Sequence, residues 1–209
     1  MPPWAHYWPF RCSCGVGGVA SPLEFHRISG RFWRAFAVDR MGQVLQPPGP
    51  ASAGRYHRPG EPALYLTLEA DWAVIAIGRY LLADGIARAV VPLELDAAAV
   101  FDQRDPVACA ALGIDPARSQ VRWNDELAAG REPSSWLASD AARAVGADGI
   151  IDVSRGIVGG WHVCLFRWNT TGAPQIGIAG DPQPCDYWAA RERWSAPEGW
   201  SLPPDLARR

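Results

Sequence analysis

Lysine is absent from this 209-residue chain, and all 20 of its basic residues are arginine. The absence excludes chemistry that needs a lysine amine, namely Schiff bases, pyridoxal catalysis, Ser-Lys dyads and the phosphate grip of P-loop proteins. Arginine still binds phosphate, because its planar guanidinium group donates two parallel hydrogen bonds. Any anion site in this chain therefore has to be built from arginine.

An excess of charge of one sign and long apolar runs are also absent. The 20 arginines are balanced by 22 acidic residues, for a formal net charge of −2, so no basic field draws the chain to nucleic acid or to anionic lipid. No run reaches the roughly 18–20 apolar residues of a membrane span. The first residues lack the charged start and apolar middle of a signal peptide. We expect a cytoplasmic protein that binds neither nucleic acid nor a membrane directly.

Metal ligands and disulfide partners are scarce. The five cysteines are odd in number and irregularly spaced, which argues against a disulfide framework. Cys12 and Cys14 lie too close together for a zinc knuckle, and no second pair accompanies them. GxGxxG and HExxH motifs are missing, and Ser154 lacks the first glycine of a G-x-S-x-G elbow because Asp152 stands there. We expect no metal site.

Strand and helix patterns mix without a regular βαβ repeat, which predicts an α+β fold. Strands are predicted at residues 23–28, 63–67, 89–95, 149–153 and 161–168, and helices at 69–83, 106–112 and 134–145. Pro92 places its strand at an edge or a bulge. Residues 1–22 are interpreted as a flexible arm, 23–168 as the domain, and 169–209 as a proline- and tryptophan-rich tail that packs on it.

Three segments carry side chains suited to ligand binding. Arg55, between Gly54 and Tyr56 in a proline-rich loop, either clamps a phosphate or lies on the surface against Tyr56. Tyr65, in the strand that follows, is either a core residue or a ligand platform. Ser154 ends a strand before a glycine-rich turn, so it either presents its hydroxyl to a ligand or starts an ordinary hairpin.

These segments, in this order, resemble the RES domain family, which is named for its Arg, Glu and Ser. His26-Arg27-Ile28 is similar to the opening strand of the family. GRYHRPGEPALYLTLEADWAVIAI resembles its second block, and GADGIIDVSRGIVGGWHVCLFR resembles its closing block. The resemblance covers residues 23–168.

The resemblance implies a toxin of a bacterial toxin–antitoxin pair, with NAD+ as its substrate and no metal. It implies an ADP-ribosyltransferase-like fold, with small twisted mixed sheets flanked by short helices around an NAD+ cleft. The nicotinamide–ribose bond would break by hydrolysis, phosphorolysis or ADP-ribosyl transfer. The implied partner is an antitoxin with a helix-turn-helix domain that blocks the cleft. The oligomeric state stays open, a homodimer included.

Carried onto this chain, the resemblance implies five site residues. Arg55 would grip the NAD+ pyrophosphate or a ribose, with Tyr56 beside it. Tyr65 would stack near the nicotinamide, and Arg27 would line the same cleft. Ser154 would hydrogen-bond to the ribose or the nicotinamide, and it is the predicted catalytic residue.

One position departs from the family pattern. The glutamate of the family falls on Ala76, and a carboxylate there would stabilise the positive charge that develops on the ribose as nicotinamide leaves. Glu69 lies two turns earlier, roughly 10 Å along the helix axis, and Asp71 lies about 140° around it. Neither replaces the missing group. The alternative to an NAD+-degrading enzyme is therefore an inert RES-like module that binds NAD+ or an antitoxin.

Overall fold

The computed structural model describes residues 24–201 and has a single sheet of seven strands at its centre. The strands are β1 His26–Ala37, β2 Leu64–Thr67, β3 Arg88–Asp102, β4 Gly149–Val153, β5 Trp161–Leu165, β6 Ile176–Ile178 and β7 Gln183–Pro184. The helices are α1 Ala70–Ala76, α2 Gly78–Ala83, α3 Pro106–Ala111, α4 Pro116–Gln120, α5 Trp123–Ala128, α6 Trp136–Ala144 and α7 Tyr187–Arg193, with a 3-10 helix at Val38–Gln43. The α+β prediction, a mixed sheet flanked by short helices, is confirmed.

Five of the strands pair in a closed ring. β1 pairs with β2, β2 with β5, β5 with β4, β4 with β3, and β3 again with β1. Among the described strands only β3 and β4 run parallel, which makes the sheet mixed. Successive side chains of a strand point to opposite faces. One set of these side chains, including Leu66, Leu93 and Val163, forms the main core cluster.

The other face of the ring is covered by helices in two separate clusters. In the first cluster, Ala138 and Ala142 of α6 pack against Ile150 of β4. In the second, Trp72 of α1 and Tyr187 of α7 pack together. The two helical covers leave one end of β2, β5 and β4 between them.

The predicted helix over residues 69–83 is in fact two helices, α1 and α2. The break falls at Ile77, whose φ of −102° and ψ of 8° are not helical. A Cβ atom on Gly78 would collide with the ring of Tyr187. The chain therefore turns where α7 packs directly on the backbone of α2.

Of the two alternatives predicted for Pro92, an edge or a bulge, the edge is wrong, because β3 has neighbours on both sides. Pro92 is opposite Trp33 of β1, and its carbonyl oxygen accepts a hydrogen bond from the amide of Ala179 at 2.8 Å. The amide and carbonyl of one residue point to the same neighbour in an antiparallel ladder. The missing N–H of Pro92 thus faces the link between β6 and β7, where pairing with β3 is interrupted.

Residues after 168 contribute to the sheet and to its cover. β6 and β7 pair with β3, and α7 packs on α1. The division of the chain at residue 168 stays a prediction, and the arm at 1–22 lies outside the described residues.

Replacing Leu93 tests the ring core. Leu93 is fully buried, whereas Ile178, its partner on β6, is 56% exposed. Leu93→Ala is expected to lower the free energy of unfolding by about 2–5 kcal/mol, and Ile178→Ala by less than about 0.5 kcal/mol. Urea denaturation of both variants measures the difference. Equal losses would show that β3 is not the centre of the core.

Candidate functional site

Three polar residues cross the outer face of the sheet at one end. Thr67 of β2 is opposite His162 of β5, and His162 is opposite Asp152 of β4. Directly opposed residues share a face and lie about 5 Å apart. Two residues further along each strand, the side chains on the same face pack in the apolar cluster beneath α6. Thr67, His162 and Asp152 therefore form the floor of the candidate site.

Arg55 reaches this floor from the proline-rich loop. Its Nη1 atom donates a hydrogen bond to Oδ2 of Asp152 at 2.7 Å, and Nε2 of Gln120 donates to Oδ1 at 3.0 Å. The side chains of Arg55 and Asp152 are 14% and 4% exposed. Burial raises the pKa of Asp152, and the Arg55 guanidinium opposes that rise. A desolvated ion pair thus ties the loop to the end of β4.

The backbone of the loop is held on both sides of Arg55. Nε1 of Trp136 donates to the carbonyl of Gly54 at 2.8 Å, and the amide of Tyr56 donates to the hydroxyl of Tyr65 at 3.1 Å. A Cβ atom on Gly54 would lie 2.7 Å from that hydroxyl. Only glycine therefore lets the loop approach Tyr65 closely enough to aim Arg55 at the floor.

The two tyrosines have their hydroxyl groups bonded within the fold. Oη of Tyr65 lies 2.9 Å from Nδ1 of His57, and Oη of Tyr56 accepts a hydrogen bond from Nε2 of Gln103 at 3.1 Å. Burial raises the pKa of both tyrosines. Burial and the charge of Arg143 lower the pKa of His57 to about 4, so its ring is neutral at neutral pH. The hydroxyl groups of Tyr56 and Tyr65 are thus engaged within the fold, where they help to hold the loop that carries Arg55.

Ser154 and Arg155 follow β4 directly. Oγ of Ser154 accepts a hydrogen bond from the amide of Gly156 at 3.2 Å, and the Ser154 amide donates to the carbonyl of Gly160 at 2.8 Å. Arg155 donates to the carbonyl of Val121 at 3.3 Å. We refer to residues 154–160 as the Ser154 loop.

The charges around the floor do not cancel. Burial, together with the charge of Arg55, lowers the pKa of Arg155 to about 10, so the Arg155 guanidinium keeps its charge at neutral pH. Burial and the same two arginines lower the pKa of His162 to about 3, so that ring is neutral. Among the described residues, Arg55 and Arg155 thus place two cations near the carboxylate of Asp152, and the net positive charge favours an anionic ligand.

The structure brings four of the predicted site residues together and places the fifth apart. Arg55, Tyr56, Tyr65 and Ser154 surround the floor. Arg27 is exposed on β1 opposite Ala99, which bonds to Asp148 at the start of β4. Asp148 and Asp152 are roughly 13 Å apart at the usual rise of a strand. The role of Arg27 in ligand binding stays a prediction.

Ala76, to which the resemblance assigns the family glutamate, is exposed at the end of α1. Ile75 comes immediately before Ala76, and a Cβ atom on Gly156 would lie 3.4 Å from Cγ2 of Ile75. The end of α1 therefore packs beside the Ser154 loop. Because position 76 is exposed, a longer side chain fits there, next to the Ser154 loop.

The sequence reasoning missed Asp152, Arg155, His162 and Gln120. Asp152 entered the sequence analysis only as the residue that breaks the G-x-S-x-G motif. Asp152 is the one charged residue in the strand GIIDV, on the same face as Ile150. A charge at a buried strand position, two residues before Ser154, is the signal that would have identified it.

Within residues 24–201 no cluster of three or more His, Cys, Asp or Glu side chains is arranged to hold a metal ion. Cys12 and Cys14 lie outside this part of the chain. None of the described helices has the length and apolar character needed to cross a membrane.

A double-mutant cycle tests the ion pair of the floor. Arg55→Met is expected to cost about 3–5 kcal/mol of stability, because it leaves a buried carboxylate without its cation. The double variant Arg55→Met with Asp152→Asn should lose less. Arg31→Met is the control, since Arg31 and Glu94 are both more than half exposed and 3.9 Å apart, and such pairs contribute about 0–1 kcal/mol. Additive losses in the double variant, measured by denaturant unfolding, would contradict a coupled pair.

Comparison with known proteins agrees with this architecture. One similar solved structure is a chain of the M. tuberculosis MbcT–MbcA toxin–antitoxin complex, with a TM-score of 0.52 and 19% sequence identity over 79% of this chain and 91% of that chain. At this identity the likeness shows the fold alone. No curated protein matches the sequence. The RES domain profile matches residues 24–188, from β1 to the start of α7. Because that match spans well over half of its length, the chain belongs to the RES domain family.

Proposed function

We propose that this chain is a toxin-like enzyme that binds NAD+ over the floor of Thr67, His162 and Asp152 and cleaves its nicotinamide–ribose bond. The observation that carries the proposal is the pair of arginines around one buried carboxylate, beside the Ser154 loop. NAD+ carries a diphosphate between two ribosyl groups. A net cationic pocket with neighbouring hydroxyl and amide donors complements that chemistry.

Arg155 and Arg55 are the groups that would hold the diphosphate. Charge-assisted hydrogen bonds from guanidinium to phosphate are among the strongest in proteins. Arg155 has one contact to a backbone carbonyl, at 3.3 Å, which a phosphate oxygen would outcompete. Arg55 already pairs with Asp152. It would therefore contribute positive charge and hold the site in shape, while Arg155 would donate most of the hydrogen bonds to the phosphate. Ser154 would then meet the nicotinamide ribose.

The bond that breaks joins C1′ of the ribose to the nicotinamide ring nitrogen. Nicotinamide leaves with the electron pair, and positive charge develops on the ribose. An oxygen of water, phosphate or a protein side chain then bonds to C1′, and its proton is released. Asp152 is the floor carboxylate that would face this charge, and fixed charges aimed at a transition state commonly give the largest catalytic effect.

A catalytically inert module that binds NAD+ or an antitoxin is the second candidate. Two observations favour it. Position 76 is alanine, and the carboxylate of Asp152 is already engaged by Arg55 and Gln120. In that case the pocket would bind NAD+ without releasing nicotinamide.

The proposed partner is an antitoxin that carries a helix-turn-helix domain and covers the cleft. The similar solved structure is named as a toxin–antitoxin complex, and membership in the RES family supports the same relationship for this chain. Under this proposal the protein acts in the cytoplasm, and DNA is contacted by the partner.

NAD+ binding is tested by removing the freer arginine. Arg155→Met should weaken NAD+ binding by about tenfold to 150-fold, since a hydrogen bond to a charged group contributes about 1.5–3 kcal/mol. Arg131→Met is the control, because Arg131 is an exposed arginine between α5 and α6. Titration calorimetry compares the two variants with the parent. Equal affinities in all three proteins would show that NAD+ does not bind at the site next to Arg155.

Catalysis is tested at position 76. Ala76→Glu should raise nicotinamide release by about 10²–10³-fold, the usual effect of one group aimed at developing charge. The substitution adds a side chain at an exposed position, so thermal melts should stay close to those of the parent. Ala76→Gln matches the size without the charge and should leave the rate unchanged.

Asp152→Asn in the parent completes this comparison. If the parent releases nicotinamide, the loss of that activity in Asp152→Asn would identify the working carboxylate. If the parent and the Ala76→Glu variant bind NAD+ but release no nicotinamide, the enzyme is excluded and the binding module remains.

A further inference from the structure

The segment 187–200, which consists of α7 and the residues that follow it, contacts the Ser154 loop at two points. Nη1 of Arg191 donates a hydrogen bond to the carbonyl of Gly156 at 2.6 Å. The amide of Val158 donates to the carbonyl of Ser195 at 3.4 Å.

Arg191 is itself held in place. Its guanidinium carbon lies 4.1 Å from the centroid of the Trp200 ring, which is a favourable cation–π geometry. Arg191 is half-buried. An arginine fixed in this way loses little further side-chain entropy when it bonds to Gly156.

The segment is also anchored on α1, the other element beside the loop. Arg193 donates two hydrogen bonds to Asp71, at 2.6 and 2.7 Å. The ring of Trp194 meets Trp72 edge-on with 5.3 Å between centroids. The segment 187–200 therefore connects α1 to the Ser154 loop.

The loop has limited internal support. It contains Gly156, Gly159 and Gly160, and Gly159 has a φ of +71°. Glycine gives the backbone more freedom than other residues. Within residues 24–201 its internal backbone bonds are those from Ser154 to Gly160 and from Gly160 to Ile157. A bond from outside the loop is therefore important for its conformation.

We propose that Arg191 is a positioning residue of the NAD+ site. Its hydrogen bond to Gly156 holds the Ser154 loop, and with it Ser154 and Arg155, in place over the floor. Arg191 lies beyond residues 24–188, which match the family profile. The inference rests on the proposed function for its ligand, but the order of the loop is measurable without any ligand.

The test compares amide hydrogen exchange in three full-length variants. Arg191→Met removes the donor and keeps a long side chain, Arg191→Lys restores one donor, and Arg193→Met is the matched control from the same helix. Arg191→Met should raise exchange of the Ser154 loop by about tenfold, the effect of losing one hydrogen bond. Exchange of β4 should stay unchanged. Arg191→Lys should return the loop toward the parent. Arg193→Met breaks an ion pair whose arginine is 58% exposed and should raise loop exchange much less, because exposed pairs contribute about 0–1 kcal/mol.

NAD+ titration of the same proteins provides the second measurement. Arg191→Met should bind more weakly than the parent, and Arg191→Lys should recover. Unchanged loop exchange in Arg191→Met, or an equal rise in Arg193→Met, would overturn the inference. So would a loosened loop with unchanged NAD+ affinity. If the parent does not bind NAD+, the proposed function fails and the site role fails with it, while the exchange data still decide whether Arg191 holds the loop.

Discussion

Strand β3 is the element on which the rest of the fold depends. Its fifteen residues pair with β1, β4, β6 and β7. By pairing with β1 along one stretch and with β4 along another, it closes the ring around the main core. Closure fixes the register of β2, β5 and β4, and that register places Thr67, His162 and Asp152 in one row. The floor of the site is thus a consequence of how the sheet closes.

The buried pair of Arg55 and Asp152 connects the loop before β2 to this floor. Desolvating two charges is costly, and here the hydrogen bonds from Arg55 and Gln120 offset the cost for the carboxylate. Arg155 adds a second cation, which forms no ion pair of its own with a carboxylate of residues 24–201. The result is a floor with residual positive charge, which suits a diphosphate better than a neutral ligand.

Much of the site was accessible from the sequence because its elements are local. Gly54-Arg55-Tyr56 and the strand ending before Ser154 each show a turn residue, a polar group and an apolar strand within a few positions. Their joint order indicated the family, which the profile match confirms. The assignment of the family glutamate to Ala76 stays a prediction.

Sequence alone determined the α+β class, the family, and the segments that carry Arg55, Tyr65 and Ser154, because these depend on local periodicity and on motifs. Only the tertiary structure decided that Asp152 and His162 share a row, that Pro92 sits inside the sheet, and that α7 reaches the Ser154 loop. Those contacts join residues far apart in the chain. Strand register and helix packing set them, and neither is visible in the spacing of residues along the sequence.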